Sequence, residues 1–117
     1  MADVVLRKAT VDEIARIYCP PEAEHIVGEI DGVAVAWIGF REIEGRLWGM
    51  FGMLTTAAPF VCMHLFYQFR KRLHQKTQPV VVLANDAKAM RLLRLLGLVP
   101  TDEIYAGKQV WAWTPQQ

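Results

Sequence analysis

The sequence predicts a single α/β (α+β) domain over residues 1–117: a mixed central sheet of about six to seven strands with about three helices, in the order β-α-β-β-β-α-β-α-β-β. Three observations carry that expectation. Short apolar or alternating runs of strand length recur from end to end, and three of the intervals between them hold stripes of helical period. Asp31-Gly32, Glu44-Gly45 and Ala106-Gly107 read as strand-to-strand turns, whereas Thr10 and Asp86 read as helix caps. No segment is repetitive, of low complexity or linker-like, so one core should hold the chain together.

Composition removes several functional classes. Thirteen Lys and Arg stand against twelve Asp and Glu, a net charge of +1, so nothing marks a nucleic-acid surface and no nucleic-acid partner is expected. The hydrophobic fraction of 53% is high for a soluble chain, but the charged fraction of 21% is ordinary. Cys19 and Cys62 lack metal-ligand spacing and read as reduced thiols, and His25, His64 and His74 do not have the spacing of a zinc site; no metal is expected. The opening MADVVLRKATVDE carries acids where a signal peptide needs a basic end and an apolar run, which points to a cytoplasmic protein.

Residues 47–69, LWGMFGMLTTAAPFVCMHLFYQF, contain no Asp, Glu, Lys or Arg, and the run is long enough to cross a bilayer. Its middle, TTAAP, is turn-like, and Pro59 suits the first turn of a helix but not an interior. The run therefore divides into a strand and a helix, and no membrane partner is expected.

In order, residues 3–8 alternate and form a first strand. Thr10 and Glu13 make a capping-box pattern, opening a short helix to about Tyr18 with Val11, Ile14, Ala15 and Tyr18 as its buried stripe; Cys19-Pro20-Pro21 ends it. Residues 25–30 and 33–41 flank the Asp31-Gly32 turn, and the second of them, VAVAWIGF, has the uncharged faces of a central strand. Residues 46–54 read as a strand buried on both faces. Residues 59–75 read as a helix, with Thr55 or Thr56 as cap and Cys62, Phe66, Phe69 and Leu73 on one face. Its basic end, Arg70, Lys71, Arg72 and Lys76, suits the negative pole of the helix dipole. Residues 80–83 are a short buried strand. Asp86 caps a helix with the stripe Ala89, Leu92, Leu93 and Leu96, and Gly97 closes it. Residues 98–105 and 108–113 make a final hairpin. The strands on either side of the Pro59 helix should be parallel.

Read with NDAKAMRLLRLLGLVP, this order resembles the GCN5-related N-acetyltransferase (GNAT) superfamily: a strand, Asn85-Asp86, a helix rich in Ala, Arg and Leu, then Gly97-Leu98. The resemblance implies a GNAT-like fold whose fourth and fifth strands splay apart, with acetyl-CoA or another acyl-CoA lying in the break and its pyrophosphate at the start of the next helix. It implies an acyltransferase acting on a small-molecule or protein amine. Carried over by position, Met53 and Leu54 meet the pantetheine, Thr55, Thr56, Ala57, Ala58 and Phe60 form the phosphate loop, and Asn85 lies along the cofactor's other side.

Three departures from the family pattern stand out. The glycines of the usual phosphate loop are replaced, with Phe60 and Cys62 near their positions and no glycine between Gly52 and Gly97. Leu93 occupies the position of the tyrosine that often protonates the thiolate. No acid lies on the fourth or fifth strand, and the second helix that commonly contacts the acceptor is reduced or absent. These losses, with GRLWGM and AMRLLRLLGL, also resemble small GNAT-like proteins of phages and prophages. They support an alternative: a catalytically degenerate structural or interaction module.

For proton transfer the candidates are His64, near the expected loop, and Tyr105, on the closing hairpin. His25, with Glu22 and Glu24, could draw an amine or form a solvated acidic loop. Cys62 reads as a buried small hydrophobe. Trp111 and Trp113 share a strand face that could be core, a homodimer contact or a shallow pocket.

Overall fold

A computed structural model describes residues 3–17, 23–55, 59–84 and 86–115. Along the chain these form β1 (Val4–Lys8), α1 (Val11–Arg16), β2 (Glu24–Ile30), β3 (Val33–Ile43) and β4 (Arg46–Met53), then α2 (Pro59–Leu73), β5 (Val80–Ala84), α3 (Ala87–Leu96), β6 (Val99–Tyr105) and β7 (Lys108–Trp113). Among the described residues, the strands make one seven-stranded sheet in the order β1-β2-β3-β4-β5-β7-β6. β4 and β5 run parallel, as the connection through α2 requires, and the other pairs are antiparallel.

Local chemistry places the turns. Asp31-Gly32, Glu44-Gly45 and Ala106-Gly107 each hold two successive residues at positive φ, near 52° and then 80°, the geometry of the tightest hairpins. Asp86 accepts the amide of Ala89 at 2.8 Å, and Gly97 closes α3 at φ 92°.

The sheet has two unequal faces. On one, α2 and α3 pack against Ile26, Ile38, Phe40, Val80, Val82, Trp111 and Trp113, with Cys62, Leu65, Phe66, Phe69, Leu73, Leu93 and Leu96 as their buried side chains. The stripe expected for α2 is buried as read, and Cys62 is a free buried thiol. Trp111 and Trp113 are core residues, 1% and 6% exposed, which removes them as a dimer contact. Burial and chemistry combine at this end of the core: His74 stacks on Trp113 with centroids 5.1 Å apart and sits 3.2 Å from the carbonyl oxygen of Leu96.

On the opposite face the described residues form a smaller cluster, Ile17, Ala23, Val27 and Trp37. Here the helix stripe expected from sequence fails. α1 buries none of its residues, Val11 is 84% exposed, and the helix stops at Arg16, with Ile17 beyond it as the buried residue; Tyr18 lies outside the described residues. What holds α1 is ionic. Arg7 of β1 donates to both oxygens of Glu13 at 2.6 and 2.8 Å and to Glu29 of β2 at 2.5 Å, while Glu13 also accepts the amide of Thr10 at 2.9 Å. That set of donors, the Arg7 bonds foremost, draws the Glu13 carboxyl down to about 2 and pushes the Arg7 guanidinium further up.

Glu24, read as an acid that could draw an amine, pairs instead with Lys76 at 2.7 Å, and His25 is buried in β2. No described helix is long and apolar enough to cross a membrane.

Candidate functional site

The site begins where β4 and β5 stop pairing. Their parallel ladder has two steps, Leu47↔Val80 and Trp48↔Val81. Beyond these, β4 stays bonded to β3 as far as Met53↔Ala36, and β5 stays bonded to β7 as far as Ala84↔Gln109. Each strand keeps its outer neighbour, so the sheet opens down the middle without either strand unravelling. The facing edges of residues 49–53 and 82–84 therefore lack the ladder partner a central strand would have. Gly49 marks the root of the opening: a Cβ there would lie 3.0 and 3.1 Å from methyl carbons of Val82 and Val80. The expected double-sided burial of β4 holds only at this root, since Met53 is 40% exposed.

A cleft of about 830 Å³ occupies the opening. One wall is the strand edge from Trp48 to Met53, continued by Leu54; the other is Val82, Leu83 and Ala84, followed by Asp86 and Ala89 at the start of α3. Arg16 and Ile17 approach from the α1 side, Trp37 from β3, and Tyr105 and Lys108 from the closing hairpin. The lining is mostly apolar with a few polar groups converging on it, the usual makeup of a small-molecule site. Asp86 is the acid among the described lining residues, and it is engaged as the cap of α3.

The hairpin reaches the cleft because β6 does not lie flat. β6 is the edge strand, two places from β5 in the sheet, yet its side chains touch β4. Its pairing with β7 is interrupted between Pro100 and Ile104, where Thr101 bonds by its hydroxyl to the Val110 carbonyl at 2.7 Å and by its own carbonyl to the Gln109 amide at 3.2 Å. Such an interruption bends a strand. The bend carries Glu103 onto Arg46 in a bidentate pair at 2.8 and 2.9 Å and Tyr105 onto Trp48, with ring centroids 5.3 Å apart. Arg46 in turn stacks over Trp48 at 5.2 Å. The hydrogen bonds to Arg46 hold the Glu103 carboxyl below its usual range and raise the guanidinium. This clasp makes Tyr105 a wall of the cleft.

The residues singled out from sequence are distributed as follows. Met53, Leu54 and Tyr105 line the cleft, and Thr55 follows Leu54 at its end, exposed. Thr56, Ala57, Ala58 and Asn85 lie outside the described residues, and of Phe60 only the helical backbone is described. His64 is exposed on α2, 3.1 Å from Gln68, and is not among the lining residues. Leu93 is fully buried in the core. Sequence reading missed Arg16, Trp37, Trp48, Gly52 and Lys108 as lining residues. The alternation of Trp48, Met50 and Gly52 along one side of β4 was a usable signal; the reach of Arg16 and Lys108 had none.

At the level of sequence, no family model and no curated protein matches the chain. Its fold matches solved structures at low identity. The N-acetyltransferase PseH of Campylobacter jejuni superposes over 97% of this chain and 99% of its own, with a TM-score of 0.66 and 10% identity. The ribosomal alpha-N-protein acetyltransferase RimL, in complex with coenzyme A, superposes over 80% of this chain and 62% of its own, with a TM-score of 0.57 and 9% identity. An acyl-CoA N-acyltransferase from Pseudomonas aeruginosa superposes over 96% of this chain and 99% of its own, with a TM-score of 0.54 and 17% identity. The fold is that of the GNAT acetyltransferases.

Proposed function

We propose that this chain is an acyl-CoA-dependent N-acetyltransferase that holds its acyl donor between β4 and β5 and passes the acyl group to an amine of a small molecule or protein. The observation that carries the reading is the parting of β4 from β5 after two residue pairs, with a cleft of about 830 Å³ between the freed edges. Two proteins of the same fold, RimL and the Pseudomonas aeruginosa enzyme, are described respectively as bound to coenzyme A and as using acyl-CoA.

The residues present fit such a donor. The bare edge of β4 offers backbone groups to an amide-containing arm, with Met53 and Leu54 beside it. Past Thr55, α2 starts at Pro59, and a helix start favours anions, which suits the pyrophosphate. The bound group supplies an activated thioester. The protein's part is to align an amine with it and to move protons. We assign protonation of the leaving thiolate to Tyr105 over His64, because of the two only Tyr105 lines the cleft.

Thermal denaturation with and without acetyl-CoA tests the reading. A binder gains about 2.7 kcal/mol at a hundredfold excess over its dissociation constant. No shift at millimolar acetyl-CoA would sink the transferase and favour a cofactor-free scaffold, the reading to which Leu93 and the glycine-free stretch before Gly97 otherwise point. With binding established, Tyr105→Phe should leave the shift intact and slow transfer to an amine panel at least about tenfold.

A further inference from the structure

The lining of the cleft includes one indole, that of Trp37, whose nitrogen lies close against β4. Trp37 is 8% exposed, packed among Ile17, Val27, Met50 and Leu54, and its side chain lines the cleft. Among the described residues no hydrogen bond engages its indole nitrogen, and that nitrogen is not one of the fully buried polar atoms left without a partner. A donor on the wall of a cleft is open to water or to a bound group. The indole nitrogen of Trp111, by contrast, is sealed within the core without a partner among the described residues, and Trp111 does not line the cleft.

Its position is set by a second residue. Trp37 and Gly52 are direct partners in the β3–β4 ladder. A Cβ on Gly52 would stand 2.5 Å from Trp37 Nε1 and 2.9 Å from Cε2, closer than such contacts occur. The missing side chain at 52 thus lets the indole lie against β4 with its nitrogen nearest the backbone, on the stretch of strand that β5 has left. The cluster packed on the ring is apolar, with Arg16 the nearest cation by sequence among the lining residues. A lone neutral donor in such surroundings suits a neutral acceptor that cannot itself donate, and a carbonyl oxygen is one.

We propose that Trp37 donates its indole N–H to a carbonyl oxygen of the acyl-pantetheine arm, and that glycine at 52 is required to place it. The inference rests on the acyl-CoA reading above. Two carbonyl classes share this chemistry, the thioester and the pantetheine amides, and comparing acetyl-CoA with CoA separates them.

The test is binding, measured by calorimetry for acetyl-CoA and for CoA, with the indole N–H resonances followed by NMR. The Trp37 signal, identified by its loss in Trp37→Phe, should move on saturation with acetyl-CoA. Trp37→Phe should weaken acetyl-CoA about three- to tenfold, the value of one neutral hydrogen bond. If CoA weakens equally, the acceptor is an amide carbonyl; if CoA is unaffected, it is the thioester. Gly52→Ala keeps the ring but displaces its nitrogen, so it reads the same loss should Trp37→Phe fold poorly. Unchanged affinity for both ligands in the variants, or an unmoved Trp37 resonance in a saturated wild type, overturns the assignment while leaving acyl-CoA binding intact. A wild type that binds neither ligand removes the acyl-CoA reading itself and this inference with it.

Discussion

Replacing Arg7 with Met tests the claim that α1 is held by charge. The helix buries none of its own residues, so apolar packing gives it little. Arg7 makes three side-chain hydrogen bonds to two carboxylates, Glu13 and Glu29, and these side chains remain 31%, 16% and 22% exposed. At about 0.5–1 kcal/mol per partly solvated bond, the substitution should cost about 2 kcal/mol, including the repulsion left between two unneutralised acids. That corresponds to a melting point lower by roughly 6–12 °C for a domain of this size. The pH dependence adds a signature. Glu13 titrates at about 2 in the fold against an ordinary value of 4.5, so its stabilisation is full above about pH 4.5 and disappears as pH falls toward 2. In Arg7→Met the main cause of that depression is gone, and the acid-induced loss in this window should shrink. Urea denaturation at pH 7, 4 and 3, with hydrogen exchange at the amides of Glu13, Ile14 and Ile17, measures both effects. A loss under about 0.5 kcal/mol with those amides as protected as before would refute the reasoning. Because Arg16 and Ile17 line the cleft, a released α1 should also weaken binding of acetyl-CoA if the proposed function holds.

Two further outcomes follow from the core. Gly97→Ala forces a side chain onto a residue at φ 92° and puts Cβ 2.8 Å from His74 Nε2, disturbing the stack on Trp113; a cost of about 1.5–3 kcal/mol is expected in denaturant melts, and a cost below about 0.5 would contradict it. Burial raises the Cys62 thiol above its ordinary range, so in a Cys19→Ser background the native protein should resist thiol reagents at pH 8 and react only as it unfolds; immediate full labelling would contradict that.

What could be read from sequence was what local chemistry decides. Asp31-Gly32 turns because two successive residues tolerate positive φ, and Asp86 caps because its carboxylate reaches an amide three residues on. The stripe of α2 is buried as expected because a long apolar face leaves no other orientation. The α1 stripe failed for the complementary reason: Val11 and Ala15 have helical spacing, but burial needs a neighbour, and among the described residues none covers them. Of the cleft lining, Met53, Leu54 and Tyr105 had been singled out, the first two through the family resemblance and the third as a phenol on the last hairpin. Trp37 and Gly52 were not legible as a pair, because fifteen positions separate them and only the strand register makes them partners.

The sequence alone therefore set the succession of strands and helices, the three tight turns and the caps at Thr10, Asp86 and Gly97, since each depends on residues within a few positions of one another. The tertiary structure decided where the β4–β5 ladder ends, how far β6 bends to bring Tyr105 against Trp48, and which indole faces the cleft. Those features depend on distances between segments far apart in the chain, and such distances exist only once the sheet has closed around its core.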